Sequence, residues 1–431
     1  MIRKFRLAFA LAPLALLAAG AARAEPYLVA DFDTGDVLMQ SDATEPWFPA
    51  STTKLMTTYV ALNAVREGRL TMDTPLTMSR RAASLPPSKM GFKPGTLVTL
   101  DNALKMLMVK SPNDVAWMIA ESIDGSVEKF AAEMNATATK LGMTESHFVN
   151  PNGLHDPDHH SSARDLAILT RALLKDFPEH ADLYDIGELQ FGRQIIRNHN
   201  GLLGHYPGAD GMKTGFTCPA GWNLVATADR NGRKLIVVIL GAPTPRIRNN
   251  EAAMLFDRGF EMSAAGQKLE ALAASSATTP PDMRDAICRG HGRAQMLAMQ
   301  EEFVSSAMAQ SSSALAGGGD PSSMLAAAMG AAPAIPPLPA QTVKFDPVPV
   351  FIGPKPGWTG PVLAATGEVE APSPVSAYAG DKDAKPDQAA PLALKSAVKP
   401  VAKLKHRHVT RQAQARMAAA AHRVMKKRRQ K

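Results

Sequence analysis

Cysteine is scarce in this chain: two residues among 431. That excludes a fold held together by a disulfide framework. Aromatic residues are scarce in one half only. Of 24 in total, just Phe303, Phe345, Phe351, Trp358 and Tyr378 fall between residues 262 and 431. That stretch is crowded with Ala, Ser, Pro and Gly, a composition that buries too little apolar surface to offset its ordering entropy. One packed domain is therefore expected in the first 260 or so residues, with a poorly folded remainder. Beyond the N-terminus no run reaches the ~18 apolar residues of a membrane-spanning helix. No fixed period recurs, which excludes a repeat solenoid. An apolar fraction of 45% excludes a wholly disordered chain.

Acidic residues are missing from both ends. Residues 1–24 hold Arg3, Lys4, Arg6 and Arg23, and residues 403–431 hold eleven Lys or Arg, with no Asp or Glu in either stretch. Removing those fifteen cations from the net charge of +8 leaves −7 for residues 25–402. A domain that bound nucleic acid through its folded surface would not carry that charge. The N-terminal stretch has the order of a secretory signal: a basic start, an apolar run from Leu7 to Gly20 broken by Pro13, and Ala22-Arg23-Ala24 as a small-x-small cleavage site. Cleavage is expected after Ala24, with export across an inner membrane to the periplasm or cell envelope.

Between the ends the pattern alternates strand and helix signals. Tyr27 to Asp33 and Val37 to Gln40 flank a Gly-containing turn and predict a hairpin. Helices are predicted from about Ser51 to Glu67, Asp101 to Val109, Asn113 to Ser122, Ser126 to Leu141 and Ser162 to Leu174. Asn223 to Asp229 and Arg233 to Leu240 are apolar, β-branched runs joined through Asn231-Gly232, a second hairpin. A helix from Glu251 to Phe260 closes the pattern. Hairpins at both ends and helices between them predict an α+β fold, a mainly antiparallel sheet with helices packed on it. Residues 25–262 form the expected domain. Residues 263–402 read as a mostly disordered linker and 403–431 as a basic tail, helical or not.

Three short motifs carry chemistry. Ser51-Thr52-Thr53-Lys54 puts a hydroxyl and an amine on one helical face, at a helix start where backbone N–H groups favour developing negative charge. A lysine can take a serine proton only when neutral, so burial or a neighbouring cation must lower its pKa from about 10.4. Ser-x-x-Lys alone is weak, since Ser126 to Lys129 and Ser396 to Lys399 also match. Ser111-Pro112-Asn113, at a break between helices, and Lys213-Thr214-Gly215, ahead of the second hairpin, are each unique in the chain. Read alone, Ser111 is a helix cap and Lys213 a surface cation. In this order the three form the set of serine acyl-transfer enzymes that act on penicillins.

With these motifs, and with Leu141-Gly142-Met143-Thr144, His160-Ser161-Ser162-Ala163-Arg164-Asp165, Asn198 to Leu203 and Gly221 to Ala226 in order, residues 25–262 resemble the low-molecular-weight penicillin-binding proteins that act as D-alanyl-D-alanine carboxypeptidases. The resemblance implies the transpeptidase fold of that family and of β-lactamases. It implies that Ser51 attacks the D-Ala-D-Ala carbonyl, Lys54 takes the proton, Ser111 relays it to the leaving amine and Asn113 holds the substrate amide. It implies Lys213, Thr214 and Arg248 (in Arg-x-x-Glu with Glu251) as contacts to the terminal carboxylate. Gly215 and Phe216 complete that wall, and the Ser51 and Phe216 N–H groups make the oxyanion hole. Peptidoglycan stem peptides are then the substrate and β-lactams covalent inhibitors, with no cofactor, no metal and no nucleic acid.

Two positions depart from the family pattern: Pro112 stands where glycine is common, and His199 where arginine is common. Residues 263–431 lack the strand spacing of the family's usual β domain. His155, His159 and His160 have no ligand-like spacing that argues for a metal. Pairing of Cys218 with Cys288 stays open. Among alternatives, a β-lactamase needs a deacylating Glu before Lys-Thr-Gly, and no Glu with the expected Leu-Asn spacing is present. A DD-endopeptidase would use the same site, and a non-catalytic penicillin-binding scaffold would not need Ser51, Lys54 and Lys213 together. The basic tail fits electrostatic contact with anionic membrane or cell wall.

Overall fold

A five-stranded antiparallel sheet in the order β2-β1-β9-β8-β7 organises the protein, built from β1 (Tyr27–Asp31), β2 (Val37–Ser41), β7 (Ala209–Thr217), β8 (Gly221–Arg230) and β9 (Arg233–Ala242). The structure is a computed structural model that describes residues 25–263, 266–289, 338 and 340–365. The expected signal segment, the rest of the expected linker and the basic tail lie outside the described residues. The run Leu235 to Leu240 is apolar at every position because both faces of β9 are covered. Leu235, Val237 and Ile239 point into one apolar cluster with Leu255 and Phe256, while Ile236, Val238 and Leu240 point into another with Leu166 and Leu169. The first cluster is closed by α7 (Pro245–Glu261) and the second by α6 (Ala163–Asp176). The β8–β9 turn holds Asn231 at φ +55° and Gly232 at φ +78°, as an Asn-Gly hairpin requires.

A helical lobe fills the other side: α1 (Lys54–Arg66), α3 (Leu100–Val109), α4 (Asn113–Asp124) and α5 (Val127–Leu141), with the short α2 (Arg80–Ala83) and the pair β3 (Pro75–Thr77) and β4 (Leu97–Thr99). The hydroxyl caps are where the sequence places them: Ser126 accepts from the Lys129 N–H and Ser162 from the Asp165 N–H. The closing helix starts earlier than expected. Thr244 caps it, accepting from the Ile247 N–H, and Pro245 occupies its first turn. β7 shows no strand pattern in the sequence because Gly211 and Gly215 interrupt its alternation.

Part of the expected linker is packed structure. Residues 266–289 run back along the β1–β2 hairpin, with Leu269 and Ile287 buried, to α8 (Arg284–Cys288). Cys288 bonds to Cys218 at the β7–β8 turn. Residues 340–365 add β10 (Val348–Val350), parallel to β5 (Glu188–Phe191), which pairs with β6 (Gln194–Arg197). Further on, the Thr77 N–H donates to the Leu363 carbonyl and the Gly353 N–H to Leu97. Edge-strand hydrogen bonds order this Pro-rich stretch, together with the seating of Phe345 against Gly187 and Gly204.

Candidate active site

Ser51 lies in a single 3-10 turn (Ala50–Thr53) that leads directly into α1, so Lys54 is the first α-helical residue and its side chain reaches back under the hydroxyl. The turn is braced from three sides. Asn223 on β8 donates from Nδ2 to the Phe48 and Pro49 carbonyls (2.8 and 3.0 Å), and its Oδ1 accepts from the Gly241 N–H at 2.9 Å. Gly215 on β7 approaches so closely that a Cβ there would lie 2.9 Å from Pro49 O and 2.9 Å from Ser51 N. Gly153 comes closer still: a Cβ would fall 1.8 Å from Ala50 O, and its φ of +77° already demands glycine.

Lys54 is fully buried. Its Nζ lies 2.9 Å from Ser51 Oγ, 3.0 Å from Asn113 Oδ1 and 2.7 Å from the Asn152 carbonyl oxygen. The last two atoms can only accept, and in the neutral form of the amine they take its two N–H bonds. The remaining lone pair then faces the Ser51 hydroxyl. Desolvation, and secondly the Lys213 cation, hold the Lys54 pKa well below its ordinary value, against a smaller opposing effect of Asp114. Asp114 is turned elsewhere, accepting from the Met90 and Gly91 N–H groups.

Lys213 and Arg248 are not surface cations: they are 1% and 2% exposed. Lys213 Nζ donates to the Thr214 carbonyl at 2.9 Å. Burial, then the Arg248 charge, lowers its pKa to about 7. Arg248, in the first turn of α7, donates to Asn249 Oδ1 and to the Asn223 carbonyl, and burial lowers its pKa to about 10. Ser111 is not a helix cap. It sits at φ +58° before α4, whose N-cap is Pro112, and its buried Oγ has no hydrogen-bond partner. Asn113 is fixed by donation from its Nδ2 to Pro86 O and from its backbone N–H to Ser88 O.

These groups meet in one cleft of about 670 Å³, lined by Ser51, Ser111, Asn113, Thr214, Gly215, Phe216 and Arg248 among others, with Lys54 beneath the hydroxyl. Ser51, Lys54, Ser111, Asn113, Thr214 and Gly215 therefore converge, although 160 or so positions separate Ser51 from Thr214, while Lys213 is buried next to Thr214 and acts on Lys54 through its charge. The competing Ser126 is consumed as a helix cap, and Ser396 lies outside the described residues.

The chain belongs to the D-alanyl-D-alanine carboxypeptidase family.

A family profile of that description matches residues 15–244. The D-alanyl-D-alanine carboxypeptidase DacC of Escherichia coli is 38% identical over 244 residues, 55% of this chain and 61% of that protein. DacB2 of Mycobacterium tuberculosis is 34% identical over 252 residues, 56% of this chain and 83% of that one. The crystal structure of penicillin binding protein 5 from Haemophilus influenzae superposes with a TM-score of 0.53 at 34% identity, covering 56% of this chain and 71% of that one. Penicillin-Binding Protein D2 of Listeria monocytogenes, solved in its ampicillin-bound form, gives 0.51 at 29% identity, covering 55% of this chain and 96% of that one. The chain spans about 60% of the length of the DacC and Bacillus subtilis DacF proteins it matches. The antiparallel sheet and its helices are thus the fold of penicillin-binding proteins, as the motifs imply.

Several residues in and around the cleft escape motif reading. Asn152 contributes a backbone carbonyl, which no residue type announces, and it also turns an unpartnered Nδ2 into the interior. Buried His159 accepts from the Val149 N–H at Nδ1, so its Nε2 carries the proton and donates to Thr53 Oγ1 at 2.9 Å. Desolvation first, then the neighbouring His160 and His147 imidazoles, lowers its pKa to about 3, which keeps the ring a neutral strut behind the nucleophile turn. His155 packs edge-on against Phe48, and His160 Nδ1 donates to the Asp158 carbonyl. His199, Leu154, Thr217 and Trp222 also line the cleft, with Phe216 stacked on Trp222 at 4.0 Å.

Proposed function

We propose that this chain is a serine-type D-Ala-D-Ala carboxypeptidase that removes the terminal D-Ala from peptidoglycan stem peptides through an acyl-enzyme on Ser51. The observation that carries the reading is the 2.9 Å contact between Ser51 Oγ and the fully buried Lys54 Nζ, whose pKa desolvation and the Lys213 charge hold well below its ordinary value. Ser51 Oγ attacks the carbonyl as its proton passes to Lys54. The oxyanion forms between the N–H groups of Ser51 and Phe216, a contribution of about 3–4 kcal/mol per donor in such sites. Lys54 returns the proton through Ser111 Oγ, unpartnered and so open to relay, to the departing D-Ala amine. Water then attacks the ester, with Lys54 again as base, and Ser51 regains its proton.

The substrate carboxylate meets Lys213, Thr214 and Arg248, a cationic pocket already desolvated and therefore strong. Asn113 orients the acyl-side amide. None of the described residues lining the cleft is a carboxylate, so a β-lactam ester on Ser51 has no Asp or Glu to speed its hydrolysis. That favours covalent inhibition over β-lactamase turnover. An exported location fits both the N-terminal pattern and a cystine, which persists in oxidising compartments. The basic tail would add electrostatic contact with anionic envelope surfaces. The test is incubation of the purified protein with a stem pentapeptide, read by mass. Loss of one D-Ala supports the reading; an unchanged pentapeptide with a competent, penicillin-labelled enzyme sinks it.

A further inference from the structure

The wall of the cleft that carries Phe216 ends in a turn whose fastening comes from outside the sheet. Residues 218–220 join β7 to β8, only two positions beyond Phe216. Three ties hold that turn. The Trp47 indole N–H donates to the Ala220 carbonyl at 2.8 Å, the Met283 N–H donates to the Pro219 carbonyl at 3.0 Å, and Cys218 is bonded to Cys288. Two of the three therefore come from residues 283–288, far along the chain.

That distant segment is itself anchored on the opposite edge of the sheet. The Val37 N–H donates to Gln267 O at 2.8 Å, the Leu269 N–H to Gly35 O at 3.0 Å, and Lys268 pairs with Asp36 at 2.7 Å. Leu269 and Ile287 are buried along the way. The segment is a belt from the β2 edge of the sheet to the β7 edge, buckled by the disulfide beside the cleft. Cys288 is exposed and Cys218 half-buried, so a small dithiol can reach the bond.

We propose that Cys218 and Cys288 are positioning residues for the acylation reaction, forming a reducible buckle that holds the Phe216 end of β7 at the spacing the oxyanion needs. The inference rests on the carboxypeptidase reading above. Opening the buckle is a two-electron step. A dithiol such as dithiothreitol gives up two electrons and two protons, the Cys218–Cys288 bond breaks to two thiols, and the reagent closes to its own disulfide. With the buckle open, β7 keeps its pairing with β8 but its end is free to shift, and Phe216 N–H shifts with it.

The experiment uses the full chain, oxidised, with thiol titration before and after dithiothreitol, and follows acylation by a fluorescent penicillin under saturating and sub-saturating conditions. The expected result is no titratable thiol in the oxidised protein and two after reduction. The first-order acylation constant should fall about tenfold, less than the loss of a whole oxyanion donor, while the saturation constant changes little. C218S/C288S should match the reduced protein and ignore dithiothreitol. Lys268→Ala, which loosens the far anchor of the belt, should lower the melting temperature without that drop in the acylation constant. Unchanged acylation in a protein shown to be reduced, or two free thiols before reduction, overturns the proposal. A fall in melting temperature alone, with acylation intact, also overturns it, because the bond would then serve stability only. Absence of any acylation in the oxidised wild-type protein would instead refute the carboxypeptidase reading.

Discussion

Gly215→Ala adds one methyl group at the closest approach of β7 to the nucleophile turn. The new Cβ would lie 2.9 Å from Pro49 O, 2.9 Å from Ser51 N and 3.1 Å from Thr52 N. Comfortable contact begins near 3.5 Å. All three atoms are backbone, so no side-chain rotation relieves the crowding, and the strand must retreat by about 0.5 Å. Overpacking of this kind costs about 1–3 kcal/mol of stability. The retreat also carries Phe216 away from the oxyanion. Losing one donor outright costs about 3 kcal/mol in the transition state, so a half-lost donor should cost about 1.5 kcal/mol, near tenfold in rate. The assay is stopped-flow acylation by a fluorescent penicillin at a temperature well below the variant's melting transition, beside a thermal melt. Acylation at the wild-type rate in a folded Gly215→Ala protein would refute the claim that β7 and the Ser51 turn form one rigid oxyanion frame.

Other expectations follow from the same geometry. The pH profile of kcat/KM should be bell-shaped. Activity falls on the acid side as Lys54 gains a proton below its depressed pKa, and on the alkaline side as Lys213, with a pKa of about 7 in the free enzyme, loses the charge that meets the carboxylate. In kcat the alkaline limb should move upward, since bound carboxylate keeps Lys213 charged; a profile flat from about pH 5 to 9 contradicts the base role. Asn223→Ala removes three buried hydrogen bonds that brace the Ser51 turn, so the melting temperature should drop by about 10 °C and acylation should slow; an unchanged melt would show that the brace is dispensable. A chain ending at Met262 should melt lower than one ending at Ala365, because it lacks buried Leu269, Ile287 and Val350 and the cystine, whose closure over 70 residues stabilises by about 4 kcal/mol in the chain-entropy description. Equal melting points would restore the domain boundary expected from composition.

What the sequence made legible was what residue type and spacing encode. Ser51 and Lys54, three apart at a helix start, Ser111-Pro112-Asn113 at a helix break, and Asn231-Gly232 between apolar runs all have the local structure their chemistry calls for. Backbone-borne features were hidden. The Asn152 carbonyl that orients Lys54 could come from any residue, and the left-handed φ of Ser111 has no glycine to announce it. β7 was obscured by the very glycines that let it approach Ser51. Residues 340–365 are ordered by pairing with the edges of β5 and of β3–β4 and by the glycine-lined seat of Phe345. No periodicity within a Pro-rich segment of modest hydrophobicity signals such docking.

The central claim is that Ser51, facing the lone pair of a neutral Lys54, is the residue that becomes acylated. Peptide mapping by mass spectrometry after brief exposure to penicillin tests it most directly. The penicilloyl mass should appear on the peptide that contains Ser51 and vanish in Ser51→Ala. An adduct on a peptide carrying Ser111 or Ser126, or labelling that survives Ser51→Ala, would contradict the account.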